Sequence, residues 1–258
     1  MIRITPKTHG HLGWRAAEGF GFARQQALVT LATAEIGRVS QVMPVVFRKS
    51  EGVWDAVGVM GPVEGTNVYV AREGKWRASF VPAQLRVYPF WLEEDGELAL
   101  WEGYQPEPLA ADGVEPFYDG VGWSARLAQT KQFLTAVRSG IRSAAPVLER
   151  LEALGVLNPW AVPGIDRPRP EIALQGLFAV DPKALDEVGD EPALSLVRSG
   201  ALRWLYAHSE SLHHAQRSKT LAEALVAAQL DAPQKTERID EAADILAAIA
   251  EDLGDTDL

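Results

Sequence analysis

The chain has 258 residues, a formal net charge of −10 and 47% hydrophobic residues, a composition that excludes a disordered or fibrous protein and provides for a buried core. It contains no cysteine, which excludes disulfides, thiol nucleophiles, thiolate metal sites and a lipidated cysteine anchor. Most of the negative charge lies at the end, where the acidic residues from Glu237 to Asp257 face only Arg238. The rest is close to neutral and has no concentrated basic face, so neither nucleic acid nor anionic lipid is an expected partner.

Met1 to His9 shows no uninterrupted apolar core and no small-residue cleavage pattern, so no secretory signal is predicted. No stretch reaches bilayer length, and the expected address is the cytoplasm, without membrane insertion. Leu28, Leu31, Ala32 and Ile36 recur near helical spacing, which predicts a helix over Ala23–Gly37. Short apolar runs separated by turns then predict strands at Val42–Phe47, Trp54–Met60, Asn67–Val70, Trp76–Val81 and Glu97–Trp101. Their separators, such as Lys49-Ser50-Glu51-Gly52 and Glu94-Asp95-Gly96, carry glycines able to reverse a strand at positive φ. A meandering, largely antiparallel sheet is expected.

After Trp123 the period lengthens. Leu127 to Ile141 and Val147 to Leu154 suit amphipathic helices, the second stopped by Gly155. Asn158 to Pro170 is too rich in proline for regular helix. Leu174–Val180 reads as a strand, and Asp181-Pro182 as a helix start. Helices then dominate Lys183–Gln229, with breaks at Gly189 and Gly200, and Pro233 precedes an acidic helix around Ile239–Leu253. The expected fold class is α+β, an N-terminal antiparallel β-sheet packed against C-terminal helices. Residues 1–232 form one domain, β-rich over 1–120 and helix-rich over 121–232, and residues 233–258 are an acidic helix or tail.

Several motifs in one order give a resemblance to a known family. They include His11-Leu12-Gly13-Trp14-Arg15, Glu35 ahead of Met43-Pro44-Val45-Val46-Phe47, and Gly61 ahead of Asn67-Val68-Tyr69-Val70. Gly74-Lys75-Trp76 and the most distinctive run, Val81 to Phe90, follow. Leu154 to Trp160, Gly176 to Asp181 and Ser199 to His208 complete the set. With these the chain resembles the SapC family over about residues 9–220. The resemblance implies a bacterial accessory protein of a surface-layer or nutrient-uptake system, and it carries over no catalytic residues. Where the family pattern places a short acidic segment after the Pro-Phe strand, this chain has Leu100-Trp101-Glu102-Gly103-Tyr104.

Nothing in the residues asks for a metal or a cofactor. His208 and His213 lie five positions apart and point roughly 140° from one another on a helix, whereas paired ligands take a spacing of three or four. His9 and His11 would share a strand face, but two ligands do not complete a site. No Gly-x-Ser-x-Gly elbow or His-Glu-x-x-His helix occurs, and Gly19-Phe20-Gly21 opens no phosphate loop. Glu35 follows an apolar run and is expected to be partly buried and paired with Arg38.

The aromatic residues are the remaining signal. As packing, Trp54, Trp76, Tyr88, Phe90, Trp91, Trp101 and Tyr104 fill a core between sheet and helices, which is the simpler account. As function, Trp76, Arg86, Tyr88, Phe90 and Trp91 wall a groove for an extended ligand, with Arg86 available to a carboxylate. Pro82 and Pro89 suit an edge strand, because a central strand would lose ladder bonds there. The expected function is binding of a peptide or protein partner without catalysis. The alternative is an enzyme acting on a small molecule or peptide, its site assembled from Glu35, Asn67, Arg86 and His208. The sequence leaves the oligomeric state open.

Overall fold

The computed structural model describes residues 2–163 and 174–217. The chain opens with β1 (Ile2–Arg3), the short helix α1 (Pro6–His9) and β2 (Leu12–Trp14). Thr5 caps α1 by accepting from the Thr8 amide, and Pro6 occupies a first-turn position where its missing N–H costs nothing.

The helix expected over Ala23–Gly37 does not form. The segment contains a 3-10 turn (Gly21–Ala23), the strand β3 (Leu28–Thr30) and the one-turn helix α2 (Ile36–Val39). Ala27, Val29 and Leu31 turn inward at every second residue, a strand period that coexists with the helical spacing of the leucines. The neighbouring strand decides between them. β3 pairs with β5 (Val53–Val59), and the Leu31 N–H continues the ladder to Ala56 O at 2.8 Å.

β4 (Val45–Ser50) joins β5 through Glu51-Gly52, with Ser50 opposite Val53. Glu51 and Gly52 have φ values of 50° and 82°, the two positive angles that a type I′ hairpin turn requires. Asn67–Val70 and Trp76–Val81 are turns and loops, linked by one bridge between Val70 and Trp76. Two backbone bonds flank that bridge, Ala71 N to Lys75 O and Arg77 N to Tyr69 O, each at 2.9 Å, and beyond them side chains satisfy the backbone. Asn67 Oδ1 accepts from the Tyr69 N–H at 2.9 Å, its Nδ2 donates to Ala23 O at 2.9 Å, and Trp76 Nε1 donates to Phe80 O at 2.8 Å.

β6 (Phe90–Leu92) and β7 (Leu98–Leu100) form a hairpin, and β1 pairs on the far side of β7. β8 (Glu107–Pro108) and β9 (Glu115–Pro116) flank β2. α3 (Ala125–Arg142) starts at Ser124, whose hydroxyl accepts from Leu127 N, and α4 (Ala145–Ala153) ends before Gly155 at φ +70°. β10 (Leu157–Pro159) and β11 (Leu177–Val180) follow. Asp181 then caps α5 (Pro182–Asp186), with α6 (Asp190–Arg198) and α7 (Ala201–Arg217) beyond it. The expected acidic helix at Ile239–Leu253, with the whole of 233–258, lies outside the described residues, as does the part of the expected helical stretch from 218 to Gln229.

The architecture is α+β with antiparallel strand pairing throughout. Among the described residues the strands form three sheets instead of one meander, in the orders β10-β11-β4-β5-β3, β1-β7-β6 and β8-β2-β9. The largest apolar core joins Phe47 and Trp54 of the five-stranded sheet to Leu148 and Leu151 of α4 and to Trp204 and Leu205 of α7. A second core joins Ile4, Trp14, Phe90, Leu100 and Phe117 to Leu127 and Leu134 of α3.

Gly13 sits where β9 crosses closest. A Cβ there would lie 2.3 Å from Glu115 O and 2.5 Å from a Val114 methyl. Gly13→Ala is therefore expected to cost about 1–3 kcal/mol by overpacking, read as a lower urea midpoint at unchanged slope.

Candidate functional site

An open cleft of about 340 Å³ lies between β2, the loop after it, the turn before β6, and the start of α3. The 3-10 turn Leu85–Val87 presents Arg86 to it, and α3 presents Arg126. Trp14 and Phe90 form its buried back, their rings meeting edge-on at 4.7 Å. Phe22 and Tyr88 stack face to face at 3.8 Å and 10°, and Phe20 lies beside Phe22. Further ring contacts carry the aromatic surface outward: Phe20 to Trp76 at 5.4 Å, and Tyr88 to Trp101 and Tyr104, each at 5.8 Å. Burial raises the Tyr88 hydroxyl above its ordinary value, so it stays a neutral donor.

Arg86 is exposed, and its guanidinium rests between two ring faces, 5.7 Å from the Phe80 centroid and 5.3 Å from that of Phe133. Such contacts orient the planar group without using its N–H donors. Among the described residues no hydrogen-bond acceptor or ion-pair partner meets it. Arg126 lies 5.1 Å over the Trp14 ring and bonds Glu115 through Nη1 at 2.7 Å. The Trp14 indole N–H is buried and meets no acceptor among the described residues.

Of the residues proposed from sequence, Arg86, Tyr88 and Phe90 line this cleft. Trp76 joins through Phe20, and Trp91, on the opposite side of β6 from Phe90, contacts Trp101 at 6.4 Å. Val81–Phe90 is not a strand. It is a loop and a 3-10 turn ending in the cis Tyr88–Pro89 peptide, and the strand begins at Phe90. Pro82 and Pro89 therefore lie outside any strand, ahead of β6, which is an outer strand of its sheet among the described residues. Trp14, Phe20, Phe22 and Arg126 were missed as site residues. Trp14 stood in the His11–Arg15 motif and Phe20 in Gly19-Phe20-Gly21, but no local pattern shows that these segments meet Arg86.

The other polar candidates are held by backbone. Glu35 is 7% exposed and accepts from the amides of Ala32 at 3.0 Å and Ala83 at 2.8 Å, not from Arg38, whose side chain is exposed. Burial pushes its carboxyl above the ordinary value, while the two amides and nearby Arg86 pull it back. His208 is fully buried: Nε2 accepts from Val180 N at 3.0 Å, which fixes Nδ1–H as the donor to Val45 O at 2.6 Å. Ser211 Oγ accepts from Val45 N at 2.9 Å. Glu35 lies near Arg86, whereas Asn67 and His208 answer to other parts of the backbone. With both ring nitrogens occupied, His208 offers no lone pair to a metal, and among the described residues no cluster of three potential ligands occurs. Among them, too, no helix is long and apolar enough to cross a membrane.

The fold and cleft define an α+β protein with an aromatic, arginine-bearing surface recess. The SapC family model matches residues 4–217, and the chain belongs to the SapC family. Neither the search of curated proteins nor that of solved structures found a match.

Proposed function

We propose that this SapC-family chain is a binding protein without chemistry of its own, which holds a peptide segment of a protein partner in the Arg86 cleft. Its setting is an accessory role in a bacterial surface-layer or nutrient-uptake system. The observation that carries the reading is Arg86: a guanidinium oriented by Phe80 and Phe133, exposed at the edge of an aromatic cleft and without an acceptor. The ring contacts hold the guanidinium at the cleft edge with its planar pair of donors facing solvent, where a carboxylate can take both. The half-buried aromatic rings beside it supply apolar contact at little side-chain entropy cost.

The test pairs binding with stability. A pool of fluorescein-labelled random octapeptides with free C-termini is titrated with the full chain, and the same proteins are melted. Arg86→Ala is expected to weaken binding about 10–100-fold, the loss of one or two hydrogen bonds to a charged group. It should cost stability only about 1–2 kcal/mol for the two ring contacts. Arg86→Lys should recover little binding, because an ammonium lacks the planar two-pronged donor. Unchanged binding with a strongly lowered melting temperature would return the segment to a structural role.

A further inference from the structure

The cleft's charges and size specify which part of a peptide it takes. We infer that the partner enters by its C-terminus, with the terminal carboxylate bound at Arg86 and Arg126 and the last side chain against Phe20, Phe22 and Tyr88. This rests on the reading of the cleft as a peptide site.

Two guanidiniums from separate elements line one recess. Arg126 gives Nη1 to Glu115, and a guanidinium has five N–H donors, so the ion pair leaves others for a ligand. Arg86 gives none of its donors to the described residues. Glu35 acts on Arg86 through its charge but forms no ion pair with it, each of its oxygens accepting from a backbone amide. Glu18 also lines the cleft and is exposed, with Arg15 as its charge neighbour, and its carboxylate can receive a backbone N–H of the entering chain.

Volume then separates an end from a crossing segment. About 340 Å³ is near the lower limit of the ~300–1,000 Å³ that small-molecule sites span, which is room for a terminal residue and its neighbour. A segment running through would present mainly neutral amides to the two arginines. A chain end brings a carboxylate whatever its sequence, and the aromatic walls then favour a large apolar last residue.

The experiment compares two octapeptide pools, identical except that one ends in a free carboxylate and the other in a carboxamide, by fluorescence polarisation on the full chain. The carboxamide pool is expected to bind at least tenfold more weakly, and that difference should vanish in Arg86→Ala and shrink in Arg126→Gln. Equal binding of the two pools would overturn the C-terminal inference while leaving the peptide reading standing. Failure of both pools to bind would overturn both. Competition by free phenylalanine or leucine as effective as that of the peptides would assign the site to small carboxylates and overturn the inference.

Discussion

His208→Ala is expected to cost about 3–5 kcal/mol, the loss typical of truncating a large buried side chain together with two orphaned backbone groups. The imidazole acts as a rung of the five-stranded sheet. β11 pairs with β4 at Leu177 and Phe178, opposite Arg48 and Phe47, but further along the ladder His208 stands between Val180 N and Val45 O. Only the neutral ring, donor at Nδ1 and acceptor at Nε2, can fill that place, and burial pulls its pKa down to about 4. The unfolded chain titrates near 6.5. Below that value the unfolded state binds the extra proton, so the stability His208 contributes is complete above pH ~6.5 and is lost as pH falls toward about 4. Across this window the loss is about 1.4 kcal/mol per pH unit. His208→Gln keeps one donor and one acceptor without the titration. Its deficit relative to wild type should be smaller than that of the alanine variant at pH 7.5 and should narrow on acidification. Urea titrations at pH 7.5 and 5.0 measure this, and a gap independent of pH would refute the neutral-rung account.

The elements legible in sequence are those specified by their own residues. The Glu51-Gly52 hairpin, the Asp181-Pro182 helix start and the stop at Gly155 each need only local chemistry, and each forms where expected. β3 was not legible because Leu28 to Ile36 carries two periods at once, and β5, many residues later, selects between them. The loops at 67–70 and 76–81 have strand-like composition, yet Asn67 and Trp76 spend their side chains on backbone groups that a ladder would otherwise have satisfied. In the cleft, Arg86 and Tyr88 were legible from their crowding with other aromatics. Arg126 was not, because its place beside them depends on α3 packing against β6.

Glu35→Ala should cost about 2–5 kcal/mol, because it leaves the buried amides of Ala32 and Ala83 without an acceptor. Those amides belong to two loops that the carboxylate joins, and Ala83 O accepts from Arg86 N at 3.3 Å at the start of the turn that presents the guanidinium. Glu35 is therefore a positioning residue for the cleft as well as a staple of the fold. Glu35→Gln keeps the size and one oxygen but turns an NH2 toward an amide donor, so it should recover only part of the stability. The pH dependence separates the ionised group from its shape. Because burial raises the folded carboxyl above its unfolded value, its contribution is largest below the unfolded pKa and declines as pH rises through the folded one, opposite in sign to His208. That decline should be absent in Glu35→Gln. At a temperature where the glutamine variant remains folded, its affinity for the carboxylate peptide pool should fall several-fold, while its affinity for the carboxamide pool should change less. The reason is that the displaced group is the guanidinium and not the aromatic wall. Equal losses for both pools would show that Glu35 only holds the loops together and does not aim Arg86.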